Sequence, residues 1–469
     1  MGRLVLSRGM WDRLKSYLLS DGDEHLAFIL AEYVLLDKFF ILLGRELVLI
    51  SDEDLDSGTR WDGLSLKLEA LLRVLNRANQ LKCTIVEVHS HPFSNHHVDF
   101  SPIDLQGQKE MVNYLSDVFP GSPYAALVLA QNAVKGQVWM SGKRNPIDLE
   151  EVRVGGAVLD RVYTGSERNP LSPRHAANPT IQKSYHRQVL ALGEAGQMKI
   201  QNTRVGVIGL GGIGSIIVQQ LAHLGVSDFL LVDDDLVETT NLHRLVTSGK
   251  DDIGQPKVEV AKRCIKKISS LATVETVCMS IRSLKALTAV KEYDVIFGCV
   301  DTDSGRLILN ELCNAYLIPY IDCGVGINLN GEKIAEAGGR VIVWVPDRPC
   351  LQCANDINIR IATEELEGPK EREFRRRHGY VAGANVPEPA VISLNGTIAS
   401  LAVTEFLALV SGFRLSQHYL YYDMLEQRVG PRVVKKEERC PACALQGLGD
   451  KADIQRYSRV GLPSDLPFV

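Results

Sequence analysis

The sequence predicts an α/β chain in two parts: an α+β N-terminal domain, then a doubly wound parallel sheet of Rossmann-like type. Three observations predict it. At 469 residues the chain exceeds what one core fills and suffices for two. Residues 1–145 set apolar strands around one amphipathic helical run, whereas residues 181–445 alternate strand and helix. Third, VGVIGLGGIGS at 205–215 passes from a β-branched run through glycines into a helix, and LLVDDDLVETTNLHR at 230–244 supplies the next strand.

Taken in order, MGRLVLSRGMWDRLKSYLL at 1–19 mixes charges with apolar residues at helical spacing, unlike a secretion signal. AFILAEYVLL, FFILLGRELVLI, TIVEVHSH and AALVLAQN read as strands, and LSLKLEALLRVLNRANQ as an amphipathic helix. Residues 146–180, with TGSERNPLSPRHAANP, read as a linker rich in Pro, Asn and Arg. The charge run EELEGPKEREFRRRHG at 364–379 reads as a solvated loop, and NGTIASLAVTEFLALVSGF as a long buried helix. Residues 446–469 form a C-terminal tail of weak periodicity, expected to be poorly ordered.

Net charge is −5, so neither a nucleic-acid footprint nor a polybasic membrane patch is expected. No apolar run reads as approaching the ~20 residues that cross a bilayer. The expected location is cytoplasmic.

Glycines 209, 211, 212 and 214 allow a tight turn and close approach to phosphate, with the following helix aiming its N-terminal amides at the anion. Asp233, about 20 residues on, stands where an acid grips a ribose hydroxyl. The neighbours decide between cofactors. Arg187 precedes the loop in SYHRQVLALG; Asn241 and Arg244 follow in NLHR, Lys257 in IGQPK, and Asp301 after DVIFGCV. A nicotinamide oxidoreductase has little use for two arginines, a lysine and a further aspartate. A triphosphate uses the cations on its phosphates and the carboxylate on Mg2+.

The order YHRQ, GLGGIG, DDDLVETTNLHR, IGQPK, CVD resembles the ThiF/MoeB/HesA superfamily, adenylating enzymes that activate ubiquitin and ubiquitin-like proteins. The resemblance covers roughly residues 180–445. It implies that a C-terminal glycine carboxylate attacks the α-phosphate of ATP, giving an acyl-adenylate and pyrophosphate. By motif position Asp233 holds the ribose, Asn241, Arg244 and Lys257 hold phosphates, and Asp301 binds Mg2+. Arg187 resembles an arginine supplied by a partner subunit, which implies a homodimer.

A second motif, IVEVHSHPFSNHHVDFSPID at 85–104, ends a buried strand with His89 and His91 on one face, able to reach one ion. Asp104 adds an oxygen ligand, and three protein ligands leave the open position of catalytic zinc. Ser101-Pro102 is also an ordinary helix start, which would set Asp104 one turn in. HSHP…SPID resembles the JAB/MPN (JAMM) metallopeptidases, which cleave after the C-termini of ubiquitin-like proteins. That match implies Zn2+ on His89, His91 and Asp104, Glu24 as proton shuttle and Ser101 as oxyanion donor. The stretch from His91 to Ser101 is longer than the family pattern and holds His96, His97 and Asp99, so it either bulges or substitutes a ligand.

CLQC and CPAC place Cys350 and Cys353, and Cys440 and Cys443, as two halves of a four-thiolate site, structural zinc rather than a redox pair. Many adenylating enzymes of the superfamily resembled carry two such pairs. The other six cysteines read as single apolar core residues, and residues 354–439 hold none, so no thioester cysteine is evident in the crossing segment.

Together these readings imply a bifunctional enzyme of a bacterial-type ubiquitin-like pathway. One head trims or deconjugates a ubiquitin-like protein at its C-terminal glycine, and the other adenylates that glycine, with a conjugating enzyme as a further partner. The alternatives are activation of a sulfur-carrier protein for cofactor or amino-acid biosynthesis, or one head serving as a non-catalytic scaffold.

Overall fold

The computed structural model describes residues 2–37, 39–56, 64–164, 183–367 and 389–459. It divides into two compact units, Met1–Ser172 with Gln446–Lys451, and Pro173–Leu445 with Ala452–Val469.

The first unit runs β1 (Gly2–Ser7), α1 (Arg8–Leu18), β2 (Leu26–Leu35), β3 (Phe40–Leu49), α2 (Leu68–Leu81), β4 (Thr84–Ser90), α3 (Pro102–Val118), β5 (Tyr124–Leu129), β6 (Val134–Trp139), β7 (Ile147–Asp148), β8 (Glu151–Gly155) and β9 (Asp160–Tyr163). The strands form one mixed sheet in the order β7-β6-β5-β4-β2-β3-β1-β8-β9. Both faces of β2 are covered, so it reads as an unbroken apolar run. Ala27, Ile29 and Ala31 join the core that holds Trp11, Leu14 and Leu18 of α1. Leu26, Phe28 and Leu30 join the one that holds Val74 and Leu75 of α2 and Leu115 of α3. The same period of two divides β4: Val86 and Val88 face α1, while Ile85 faces α2 and α3 and carries His89 to that side.

Two expectations change here. The chain does not start as a helix: residues 2–7 are a strand paired in parallel with both β3 and β8, and Ser7 then caps α1 by accepting from the Met10 N–H. Residues 147–163, read as linker, supply the strands β7 to β9, with β8 fully buried. The remainder of that linker, 165–180, lies outside the described residues.

The second unit runs α4 (His186–Gln201), β10 (Arg204–Ile208), α5 (Gly212–Leu224), β11 (Asp228–Val232), α6 (Lys257–Ile268), β12 (Thr273–Val277), α7 (Leu284–Val290), β13 (Val295–Gly298), α8 (Asp303–Tyr316), β14 (Tyr320–Asn330), β15 (Lys333–Trp344), α9 (Ile359–Leu366), α10 (Ile392–Ser411), β16 (Tyr419–Asp423) and β17 (Arg428–Pro431). The sheet order is β12-β11-β10-β13-β14-β15-β16-β17. Its first five strands are parallel and doubly wound, with the order reversing between β10 and β13. Ligands of such sheets bind at that reversal, beyond the carboxyl ends of the strands. The alternation of strand and helix stops at β14, and the last three strands are antiparallel. A two-residue turn of Gly331 and Glu332, with φ +64° at the glycine, makes the change, glycine standing at the first central position of the hairpin.

Helix α10 is long and apolar enough, by length and composition, to cross a membrane, contrary to the expectation that no run approaches that length; 56% of its apolar window is buried within the protein. It also buries Glu405, whose carboxylate takes a hydrogen bond from Arg414 at 2.6 Å. The charge run expected as a solvated loop begins inside α9, and 368–388 lies outside the described residues. The tail is not loose where it is described. Lys451 pairs with Glu32 of the first unit and donates to the Lys82 carbonyl at 2.6 Å. Tyr457, buried, donates to Glu311 of the second unit at 2.9 Å.

Candidate active sites

In the second unit β10 delivers Gly209 at the reversal point, in the left-handed region at φ +89°; a Cβ there would lie 2.6 Å from the Cys299 carbonyl oxygen. A Cβ on Gly214 would lie 2.0 Å from the Gly209 carbonyl oxygen, so the loop folds onto its own helix. Gly211 caps α5 without a side chain, and the first intrahelical bond is donated by Ser215, at 3.0 Å to Gly211. The N–H groups of Gly212, Ile213 and Gly214 precede it and are offered to an anion.

Asp233, just past β11, accepts from the Leu210 N–H at 2.5 Å and the Asp235 N–H at 2.9 Å. Burial pushes its carboxyl above the ordinary value, offset in part by Lys257. Lys257 opens α6 and is buried, its Nζ 2.6 Å from Asp235 and 3.9 Å from Asp233. Asn241 is buried with its Oδ1 accepting from the Glu238 N–H at 3.0 Å, and its amide nitrogen carries the donors that a phosphate would need. Arg244 donates to the Thr240 carbonyl at 3.2 Å, and its Cδ lies 3.4 Å from where a Gly212 Cβ would be.

Asp301, after β13, and Arg187, in the first turn of α4, are exposed, and among the described residues neither is hydrogen-bonded to the rest of the set. Sequence reasoning missed Asn395. It lies in α10, 3% exposed, with Nδ2 2.2 Å from the same Gly212 Cβ position.

In the first unit His89 Nε2 lies 3.5 Å from Asp104 Oδ2, and His91 Nε2 lies 3.6 Å from that same oxygen. One donor atom from each of the three lies within 4.8 Å of the others. Ligands at about 2.0–2.2 Å from a tetrahedral zinc stand roughly 3.4 Å apart, so the spacing fits. His89 Nε2 is buried with no hydrogen-bond partner, the expected state of an atom that faces a metal.

Ser101 and Asp104 form a capping box. The Asp104 N–H donates to Ser101 Oγ at 3.1 Å, and the Ser101 N–H to Asp104 Oδ2 at 2.6 Å. The Ser101 hydroxyl proton stays available. Burial alone would raise Asp104, but the adjacent imidazoles of His89 and His91 outweigh it and hold the carboxyl well below the ordinary range. Glu24 Oε1 is 3.6 Å from His91 Nε2, and partial burial raises its pKa against the pull of His91 and His89.

The long segment after His91 bulges. Ser94 and Asn95 accept from the Gln131 and Asn132 N–H groups at 3.3 and 2.9 Å. His96 and His97 are exposed and stand outside the ligand group.

Cys350, Cys353, Cys440 and Cys443 converge with S···S separations of 3.5, 3.6 and 3.9 Å, against the roughly 3.8 Å edge of a tetrahedron with 2.3 Å Zn–S bonds. A hydrogen bond from Cys443 pulls the Cys350 thiol down to about 5, so one thiolate is already favoured. The remaining cysteines are not all core residues: Cys278 is exposed, and Cys264 and Cys299 are half-buried.

A sequence profile described as the ThiF family matches residues 185–444. The chain belongs to the ThiF family. The chain is similar to the SAMP-activating enzyme E1 of Haloferax volcanii, 28% identical over 60% of this chain and 96% of that protein. The sulfur carrier protein adenylyltransferase of Thermus thermophilus is 28% identical over 55% of this chain and 89% of its own. The adenylyltransferase and sulfurtransferase MOCS3-1 of Drosophila pseudoobscura pseudoobscura is 25% identical over 64% of this chain, which spans 62% of that protein. Among solved structures, E. coli MccB with ATP is 22% identical over 55% of this chain and 74% of its own, with a TM-score of 0.44. The ThiF match covers the doubly wound unit and leaves the first unit outside it.

Proposed function

We propose that the ThiF unit adenylates the C-terminal glycine of a small sulfur-carrier or ubiquitin-like protein, and that the first unit is a zinc peptidase acting on that same C-terminus. The adenylation reading is carried by an uncapped glycine-loop helix flanked by Asp233, Arg244 and Lys257 in a chain of this family. The names of the relatives support sulfur-carrier activation over the conjugation pathway expected from sequence. The absence of cysteine from residues 354–439 agrees with an adenylate handed to another thiol. A conjugating enzyme has no such support.

In the adenylation step a glycine carboxylate oxygen bonds to the α-phosphorus of ATP and the bond to the β-phosphate oxygen breaks, releasing pyrophosphate. Both reactants are anions, so fixed cations must act before the bond forms. Arg244 and Lys257 neutralise phosphate charge, Asn241 donates its remaining amide, and Asp233 accepts from the ribose. Lys257 would release Asp235 for this. Asp301 would hold Mg2+, which spreads the charge of the leaving pyrophosphate. Arg187, exposed, is offered to a second copy of the chain, and homodimerisation is part of the proposal.

For the first unit the observation is convergence: two imidazoles and one carboxylate oxygen on a common point, with a second carboxylate beside them. Zinc held by His89, His91 and Asp104 supplies Lewis acidity. Glu24 takes a proton from the attacking water and returns it to the leaving amine. The Ser101 hydroxyl donates to the carbonyl oxygen as negative charge grows there. Cys350, Cys353, Cys440 and Cys443 would hold a second, structural zinc.

The test is ATP–pyrophosphate exchange with sulfur-carrier and ubiquitin-like proteins, each in mature and C-terminally extended form. Exchange with a mature carrier, and with its extended form only while Glu24 is intact, supports both units. ATP binding without exchange by any sulfur carrier, but with exchange by a ubiquitin-like protein, would replace the carrier reading by the conjugation one.

A further inference from the structure

We propose that the carboxamide of Asn395 reads a phosphoryl oxygen of the nucleotide at the N-terminus of α5, an inference that rests on the adenylation reading. Gly212 locates it. A Cβ on that residue would meet Asn395 Nδ2 at 2.2 Å, and Arg244 Cδ at 3.4 Å. Asparagine and arginine thus converge on the first turn of the glycine-loop helix from two separate elements.

Asn395 is 3% exposed, and among the described residues no hydrogen bond engages its carboxamide. An amide packed into the protein with no protein partner is left to water or to a ligand for its hydrogen bonds. The helix end beside it has the same shortage: Gly211 offers no capping side chain, and three N–H groups precede the first intrahelical bond. Donors on both sides of one gap are satisfied together by an acceptor placed between them. A charged oxygen serves best, because the helix end carries positive potential and Arg244 adds a cation.

The loop also fixes which oxygen this is. Asp233 is tied to the Leu210 N–H, two residues before Gly212. A ribose held by Asp233 brings the phosphoryl group attached to it against Gly212 and Asn395. That group is the α-phosphoryl, which stays with the adenylate after pyrophosphate leaves. The glycine at position 212 then has a second reason: any side chain there would displace the reader.

The experiment compares wild type, Asn395→Ala and Asn395→Asp for binding of ATP with Mg2+ by calorimetry, with thermal unfolding on each sample. Aspartate matches asparagine in volume and suits a helix N-terminus, so the fold is kept while a phosphate is repelled. The expected result is binding weakened about tenfold in the alanine variant, and more in the aspartate variant, with unfolding temperatures near wild type. Wild type and both variants binding ATP within twofold of one another would overturn the inference and leave adenylation standing. Weakening by alanine but not by aspartate would also overturn it, since the group would then only fill space or accept. No ATP binding by wild type would remove the adenylation reading, and this inference with it.

Discussion

A carboxylate next to two imidazoles can bind a metal or move a proton, and in the first unit the contacts divide those roles. Asp104 presents one oxygen to both histidines, whereas Glu24 approaches His91 alone and has its pKa raised by burial. Glu24→Gln is therefore expected to keep zinc, measured by elemental analysis, while cleavage of an extended carrier falls at least ~100-fold. Cleavage within a few-fold of wild type would take the proton shuttle away from this residue. On the other unit, Asp301→Ala is expected to lower pyrophosphate exchange by about 100-fold or more while ATP still binds. Normal exchange in that variant would remove the Mg2+ assignment.

At the scale of the element, the glycine loop and α5 depend on backbone approach. Gly209→Ala combines a left-handed φ with overlap onto the Cys299 carbonyl. The left-handed conformation alone costs about 1–2 kcal/mol. The expected outcome is a lower unfolding temperature together with loss of ATP binding, and a variant that binds ATP normally would show that the loop can rearrange.

Elements were legible where local pattern and tertiary setting agree. The runs read as β2 to β5 and α2 all form, because each has enough apolar residues to specify its own burial. Residues 2–7 escaped because six residues ahead of a helical pattern look continuous with it, and what makes them a strand is pairing with β8, some 150 residues away. The strands within the linker are equally short, although Glu151–Gly155 alternates as a strand should. The cluster of His89, His91 and Asp104 was readable because spacing along one strand and a helix cap set the direction of the three side chains. Asn395 was not: an asparagine within an apolar helical run carries no mark of its contact with Gly212.

For the whole molecule the metal count is the sharpest expectation. Two zinc ions per chain are predicted, falling to one in His89→Ala and to one in Cys440→Ala. His89→Ala is expected to lose cleavage and keep exchange, whereas Cys440→Ala loosens the fold, since closed thiolate sites contribute folding energy directly. One zinc in wild type would eliminate one of the two sites, and the two variants would identify which.

The capping box of α3 has a kinetic corollary. Asp104 Oδ2 receives the Ser101 N–H and faces both histidines, so the oxygen proposed as a metal ligand is already aimed when the helix starts. If zinc binds there as proposed, apo-protein and metal-loaded protein are expected to share one backbone at this helix start, with little rearrangement on loading. The Ser101 amide becomes a native reporter: an ion drawing on that oxygen weakens its hydrogen bond, so deuterium uptake at this one position tracks occupancy without any added probe.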